Sequence, residues 1–355
     1  MARTCHLHCR PCAAPLQQIL TAVPTVNPSN QPHHYDVCNG DADGLCAVRQ
    51  WRLHAPAEAT LVTGLKRDIA LLERVAAEPG DEVLVCDIAL ARNRAALERL
   101  LARGVRVRYF DHHASGAPLV HPCLEAHLDA APDVCTSVLV DRALGGRFRA
   151  WAVVGAFGDN LGSVAERLAA TLNLERARID ALRRMGEAIN YNAYGESAHD
   201  VLIHPAQLYA LMARYEDPFA MLAHEPVLQA LDAQRANDLA HAAELAPYWQ
   251  DARGSVVLLP DAAWSRRIMG HLANQLANQE PQRAHALLLP LPKTDAADAA
   301  WRVSMRAPRT APQGAADLCS RFGGSGRAAA GGIDRLPQDS FEDFLRAFAA
   351  MRWGA

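Results

Sequence analysis
The chain has 355 residues, half of them hydrophobic, and a formal net charge of −3 at neutral pH. That length is generous for one core and points to about two domains, and no apolar run approaches the roughly 20 residues that span a bilayer. The slightly acidic balance argues against a large, uniformly basic surface for long duplexes, though it leaves room for a local basic groove.

Residues 1–33 are rich in Pro, His and Cys without periodicity, so they read as an irregular tail. They hold charged residues and cysteines where a signal peptide would be hydrophobic, and the expectation is a cytoplasmic protein with no membrane partner. Cys38, Cys46, Cys86, Cys123, Cys135 and Cys319 are dispersed, several inside apolar runs, which suits reduced and buried thiols. Cys5, His6, His8, Cys9 and Cys12 are metal-binding residue types, yet their spacing fits no closed four-ligand pattern.

From Tyr35 to about Asn160, short apolar runs (Tyr35–Cys38, Glu82–Cys86, Val105–Phe110) alternate with helical patterns (Leu45–Leu53, Arg92–Arg103). Such alternation predicts βαβ units and a largely parallel sheet. Thr136 and Ser137 read as a helix cap before Val138–Leu144, and Trp151–Phe157 is an apolar run that fits helix or strand. From about Ser163 to Gln250 the pattern is almost wholly helical. Gly254–Pro260 then reads as a strand, Trp264–Gln279 as a helix, and Ala284–Leu291 and Trp301–Arg306 as strands, so a second α/β domain begins near Arg253. The predicted architecture is α/β with two domains: an N-terminal, mostly parallel sheet with helices on both faces, a helical connector, and a smaller C-terminal α/β domain.

Acidic and imidazole residues sit where the apolar runs stop. Asp41 and Asp43 follow the first strand within Asn39-Gly-Asp-Ala-Asp-Gly44, and an extended chain there would project both to one side. Asp87 follows the second strand, Asp111, His112 and His113 the third, and Asp159 the run ending at Phe157. In a parallel sheet these ends share the edge where α/β folds bind ligands. Carboxylates gathered there repel unless cations lie between them, and mixed oxygen and imidazole donors suit Mn²⁺, with Mg²⁺, Co²⁺ or Zn²⁺ as alternatives. Each piece alone has a plainer reading, an Asp-x-Asp as a turn or helix cap above all.

These motifs resemble those of the DHH phosphoesterase superfamily, in particular its nanoRNase and single-strand exonuclease members. Asn39–Gly44 is similar to the first motif, Cys86-Asp87 to the second, Asp111-His-His-Ala-Ser-Gly116 to the third and Gly158-Asp-Asn160 to the fourth. Val303-Ser-Met-Arg306 and Phe322–Gly331 resemble the strand and glycine-rich substrate loop of the DHH-associated domain. The resemblance implies a catalytic domain at 34–200, a helical connector at 201–252 and a substrate-binding domain at 253–355. It implies two Mn²⁺ ions, one on Asp41 and Asp87 and one on Asp43, Asp87, His112 and Asp159. Asp87 would bridge them, His113 would face the scissile phosphate and Asp111 would orient an imidazole. Arg306, Gly323, Gly324, Ser325, Gly326 and Arg327 would contact substrate.

Two positions depart from that pattern. Asn39 stands where relatives carry His or Asp, so the first ion would be held more loosely or through water. The glycine loop runs Gly323-Gly-Ser-Gly326 into Arg327 without the usual His. Read physically, its backbone amides would converge on a phosphate, and the Ala-rich stretch after it would start a helix. Asn190, Tyr191, Asn192 and Tyr194 are candidates for a base-stacking pocket or a polar turn, and the arginines from Arg92 to Arg108 are taken as a solvated face. The expected activity is Mn²⁺-dependent hydrolysis of short or single-stranded nucleic acid from an end, by a two-metal mechanism. A small-substrate phosphohydrolase (polyphosphate, nucleotide bisphosphate or cyclic dinucleotide) and a non-catalytic nucleotide sensor are the alternatives, and a homodimer is an open assembly.

Overall fold
Strands β1 (His34–Asn39), β2 (Ala59–Gly64), β3 (Glu82–Cys86), β4 (Arg106–Asp111) and β5 (Leu124–Leu128) build the first sheet of a computed structural model that describes residues 32–291 and 299–354. The tail reading of 1–33, apart from its last two residues, and the Cys5 to Cys12 cluster lie outside the described residues. Strand order is β2-β1-β3-β4-β5 and every pairing is parallel. Alternate residues face opposite cores: Val37, Val83, Val85, Val107 and Tyr109 pack on one side, and Cys38, Leu84, Cys86 and Phe110 on the other. A sheet covered on both faces explains why these strands read as unbroken apolar runs. The two edge strands, β2 and β5, are half exposed and carry no such signal.

Helix α1 (Ala42–His54) covers one face, and α2 (Leu90–Ala102) with the 3₁₀ turn Leu71–Arg74 covers the other. A helical layer follows on the α1 side: α3 (Thr136–Ala143), α4 (Arg149–Gly158), α5 (Gly162–Ala170), α6 (Arg176–Asn192), α7 (Pro205–Met212), α8 (Pro218–His224) and α9 (Pro226–Ala243). The ambiguous Trp151–Phe157 run is therefore helix, buried on all sides because α1, α3, α5 and α6 surround it. Proline opens each of α7, α8 and α9, where its missing N–H costs nothing. Leu208, Met212, Met221, Leu228 and Leu231 join the same core as α1.

The second sheet holds β6 (Trp249–Gln250), β7 (Gly254–Leu258), β8 (Ala284–Pro290), β9 (Ala300–Arg306), β10 (Ser325–Arg327) and β11 (Ala330–Pro337) in the order β10-β11-β9-β8-β7-β6. Only β7 and β8 run parallel. Helix α10 (Ala263–Gln279) covers one face, and α11 (Ala315–Ser320) and α12 (Phe341–Ala350) cover the other. The Ala-rich stretch after the glycines does not start a helix. Cross-strand pairing of β11 with β9, which buries Ile333 and Leu336, outweighs the helix preference of three alanines.

Buried ion pairs tie α10 to the helical layer. Arg267 donates to Asp238 of α9 at 2.7 and 3.0 Å, the same carboxylate accepts the Tyr191 hydroxyl at 2.7 Å, and Arg266 meets Asp200 at 2.7 Å. The six cysteines among the described residues are free. No described helix is long and apolar enough to cross a membrane.

Helices α4 and α6 touch backbone to backbone. A Cβ on Gly186 would lie 2.2 Å from the Val154 carbonyl oxygen, and one on Gly158 would lie 2.4 Å from Ala42 Cβ. Gly186→Ala should therefore cost about 1–3 kcal/mol of stability through overpacking. Urea unfolding followed by circular dichroism checks this, and an unchanged midpoint would contradict the close approach.

Candidate metal centre
The flagged acidic and imidazole residues converge at the carboxyl edge of the parallel sheet. Asp41 follows β1, Asp87 follows β3, Asp111 ends β4 with His112 and His113 beyond it, and Asp159 caps the C-terminus of α4. Asp41 and Asp43 are not on an extended strand. Asp41 is the N-cap of α1, its Oδ1 accepting the Gly44 N–H at 3.1 Å, and Asp43 lies in the first helical turn. The cap reading and the site reading of Asp41 coexist, because the strand passes straight into the helix.

Each side chain is held by a specific partner. Asp43 accepts the N–H groups of Thr136 and Ser137 at 2.7 Å each, one per carboxylate oxygen. These residues open α3, so they are not its cap; Cys135 holds that position. The free amides of a helix start favour an anion, which locates Asp43. Asp87 has a left-handed backbone (φ 60°), an uncommon conformation for a residue other than glycine and one that clusters at functional sites. His112 Nδ1 lies 3.0 Å from the Val134 carbonyl oxygen, which can only accept, so Nδ1 donates. Nε2 then points into the cluster, 3.3 Å from Asp87 and 3.9 Å from Asp159. His113 Nδ1 meets Asp111 Oδ1 at 2.7 Å, while Asp111 Oδ2 accepts the Leu90 N–H at 3.3 Å. Asp111 thus orients His113.

Ligand atoms of Asp87, His112 and His113 lie within 4.8 Å of one another, and so do those of Asp43, His112 and Asp159. Among the described residues Asp41 joins neither group. Its Oδ2 is 2.6 Å from the ammonium of Lys66, which also donates to Asn190 Oδ1 at 3.1 Å and lies over the Tyr194 ring. Asn39 accepts the Asp41 N–H at 3.2 Å and donates to the Lys66 carbonyl at 3.5 Å. Sequence reasoning misses Lys66, although it stands just beyond Ala59–Gly64 much as Asp87 stands beyond its strand. Reading that half-exposed run as an edge strand is the signal that would find it.

Burial, then the charges of Asp41 and Asp43, raise the Asp87 pKa well above the carboxylate range, with His112 pulling it back only in part. Burial and the same two neighbours lift Asp159 from 3.8 to about 7. Burial opposes the His112 imidazolium, but its hydrogen bond to Asp87 and the charges of Asp43, Asp87 and Asp159 prevail and push it up to about 10. Burial likewise opposes charge on Asp41 and Lys66, and their mutual attraction overrides it: Asp41 falls below its ordinary value and Lys66 rises well above its own. The carboxylates of Asp43, Asp87 and Asp159 and the inward imidazole nitrogen are a donor set that fits a divalent ion of mixed oxygen and nitrogen preference.

Beside the cluster lies a cavity of about 460 Å³ lined by Gly158, Asn160, Asn190, Tyr191 and Tyr194 on one wall and by His271, Asn274 and Arg306 on the other. Arg306 donates to Asn274 Oδ1 at 2.7 Å and to the Met305 carbonyl at 2.9 Å. Asn192, grouped with the pocket in the sequence, is instead buried and fastens the following loop through Ile203 O (2.7 Å) and Leu202 N–H (3.1 Å). Gly323, Gly324, Ser325, Gly326 and Arg327 do not line the cavity. Register nonetheless sets Arg327 opposite Ala330 and Ala330 opposite Arg306, so the hairpin end borders that arginine. Arg94, Arg99, Arg103, Arg106 and Arg108 each pair with a glutamate, as a solvated face would.

The parallel five-stranded sheet with helices on both faces, joined to a second sheet, is a fold shared with solved structures that include a DHH domain. Among solved structures it is similar to the exonuclease RecJ bound to manganese, with 19% identity, 91% of each chain covered and a TM-score of 0.62. It is also similar to the DHH domain of a protein assigned to a family of ribosomal proteins, with 13% identity, 91% of this chain and 88% of that one covered, and a TM-score of 0.57. RecJ from Thermus thermophilus in complex with Mn²⁺ gives 20% identity and a TM-score of 0.56, over 90% of this chain and 51% of that one. No family model and no curated protein matches the sequence.

The raised Asp159 pKa sets a pH dependence. A carboxyl shifted from 3.8 to about 7 contributes stability below its unfolded value and loses it as pH climbs through that window. A bound cation takes over the proton's part, so MnCl₂ should raise Tm more at pH 8 than at pH 5.5, by roughly 2–4 °C per kcal/mol of linkage. Thermal melts with and without Mn²⁺ at the two pH values measure it, and equal shifts would contradict the assignment.

Proposed function
We propose that the chain is a metal-dependent phosphodiesterase that hydrolyses short oligonucleotides or single-stranded nucleic acid from an end. The observation that carries this reading is the gathering of Asp43, Asp87, Asp159 and His112 Nε2 beside a cavity wide enough for a nucleotide. The likeness of the fold to manganese-bound RecJ supports it. Residues 34–200 would carry the chemistry and 253–355 would hold substrate, with 201–252 joining them.

A divalent ion there, Mn²⁺ best matching the mixed donors, would supply an activated water and a Lewis acid for the phosphoryl oxygens. The chain's own residues do the rest. Asp43, Asp87, Asp159 and His112 hold the ion. His113, steadied by Asp111, faces the phosphate with its remaining ring nitrogen, and Lys66 adds a fixed positive charge on the Asp41 side. Tyr191 and Tyr194 offer ring faces on which bases stack, a sequence-tolerant contact. Arg306 meets a further phosphate across the cavity, and Ser325 and Arg327, on the hairpin beside it, extend that contact.

The test is a cleavage panel of end-labelled dinucleotides, DNA and RNA single strands, cyclic dinucleotides and polyphosphate, with Mn²⁺ supplied. A ladder of mononucleotides from single strands is expected. Binding without products would instead identify a sensor, and turnover of polyphosphate alone a small-substrate hydrolase. His112→Ala and Asp87→Asn, the latter tolerant of the left-handed backbone, should lower kcat by roughly 10²–10⁴-fold. Parent-like turnover in both would overturn the site.

A further inference from the structure
We infer that the site takes a single divalent cation, and that the Lys66 ammonium permanently fills the place of a second. This rests on the metal-dependent reading above and specifies its cation count.

Three independent observations carry it. First, Asp41 Oδ2 already faces a full positive charge, the Lys66 ammonium at 2.6 Å, whereas the partners of Asp43 are neutral amides that leave a lone pair on each oxygen for an ion. The ammonium is itself fixed from three directions, by Asp41, by Asn190 at 3.1 Å and by the Tyr194 ring 5.2 Å away. An ion seated on Asp41 would have to expel a half-buried lysine that is paired on the same carboxylate. Second, Asn39 provides no carboxylate or imidazole, and its amide already clips the Asp41 N–H to the Lys66 carbonyl. The residue that would strengthen a first ion serves to hold the lysine loop.

Third, both groups of converging ligands depend on His112. Its Nδ1 is committed to the Val134 carbonyl, which leaves Nε2 with one lone pair. One lone pair ligates one ion, so the two groups cannot both be filled through His112. The arrangement has a chemical consequence. An ammonium steadies negative charge on a phosphoryl oxygen but cannot lower the pKa of a bound water as a metal does, so nucleophile activation falls to the one ion.

Manganese titration of the metal-free full chain, by calorimetry and by EPR, tests this without reference to turnover. One Mn²⁺ per chain with the six-line spectrum of an isolated ion is expected, whereas two ions with a dipole-coupled spectrum would overturn the inference while sparing the metal-dependent reading. No binding at all would overturn both. Asp41→Asn, which keeps a helix cap, should leave the stoichiometry at one and the Kd within roughly threefold, while Asp43→Asn should weaken binding by roughly tenfold or more. A reversed order of these two variants would refute the ligand set. In the double variant Asn39→His with Lys66→Ala, a second ion and a coupled spectrum should appear. A variant that still takes one ion would show that these two residues are not what excludes the other.

Discussion
Like charges forced together at the end of a buried sheet are the constraint around which this molecule is organised. Asp41, Asp43 and Asp87 are almost completely buried and Asp159 is close by, and in a low-dielectric edge they cannot all ionise unaided. The fold answers each separately. Asp43 takes two helix-start amides, Asp41 takes a lysine, and Asp87 and Asp159 are left with raised pKa values facing one imidazole. Asp87 and Asp159, which lack such partners, are where a cation would add most, with Asp43 held in place beside them.

Backbone proximity makes that gathering possible. Gly158 and Gly186 let α4 pass against both α1 and α6, which delivers Asp159 from the helical layer to residues that arrive from strands. The same α6 continues past the cluster to present Asn190 and Tyr191 to the cavity, with Tyr194 just beyond its end. Its Tyr191 is anchored to the buried Asp238 and Arg267 pair that fixes α10. Carboxylate edge and cavity wall are therefore parts of one packed structure, and a shift of α6 would be felt in both.

Much of the site is readable in the sequence because polarity changes abruptly where buried strands stop. Asp87, Asp111, His112 and His113 each follow a run whose apolar character leaves little alternative to a covered parallel strand. The Asp41 to Asp43 geometry is not, because a two-residue spacing fits both an extended strand and a helical first turn, and nothing local separates them. Lys66 escapes notice because its strand lies at the sheet edge and is only half buried. The glycine hairpin misleads because alanines favour a helix in isolation, while pairing with β9 depends on residues more than twenty positions away.

By itself the sequence determined the three covered strands of the first sheet with the helices between them and the chemical character of its carboxyl edge, since these follow from burial and periodicity along contiguous segments, and its motifs carried the family resemblance. Tertiary structure alone decided which carboxylate meets an ammonium, which imidazole nitrogen faces inward and which polar residues line the cavity. Those outcomes turn on contacts between segments up to 124 residues apart, such as Lys66 with Asn190, and no local pattern encodes a distance across the fold.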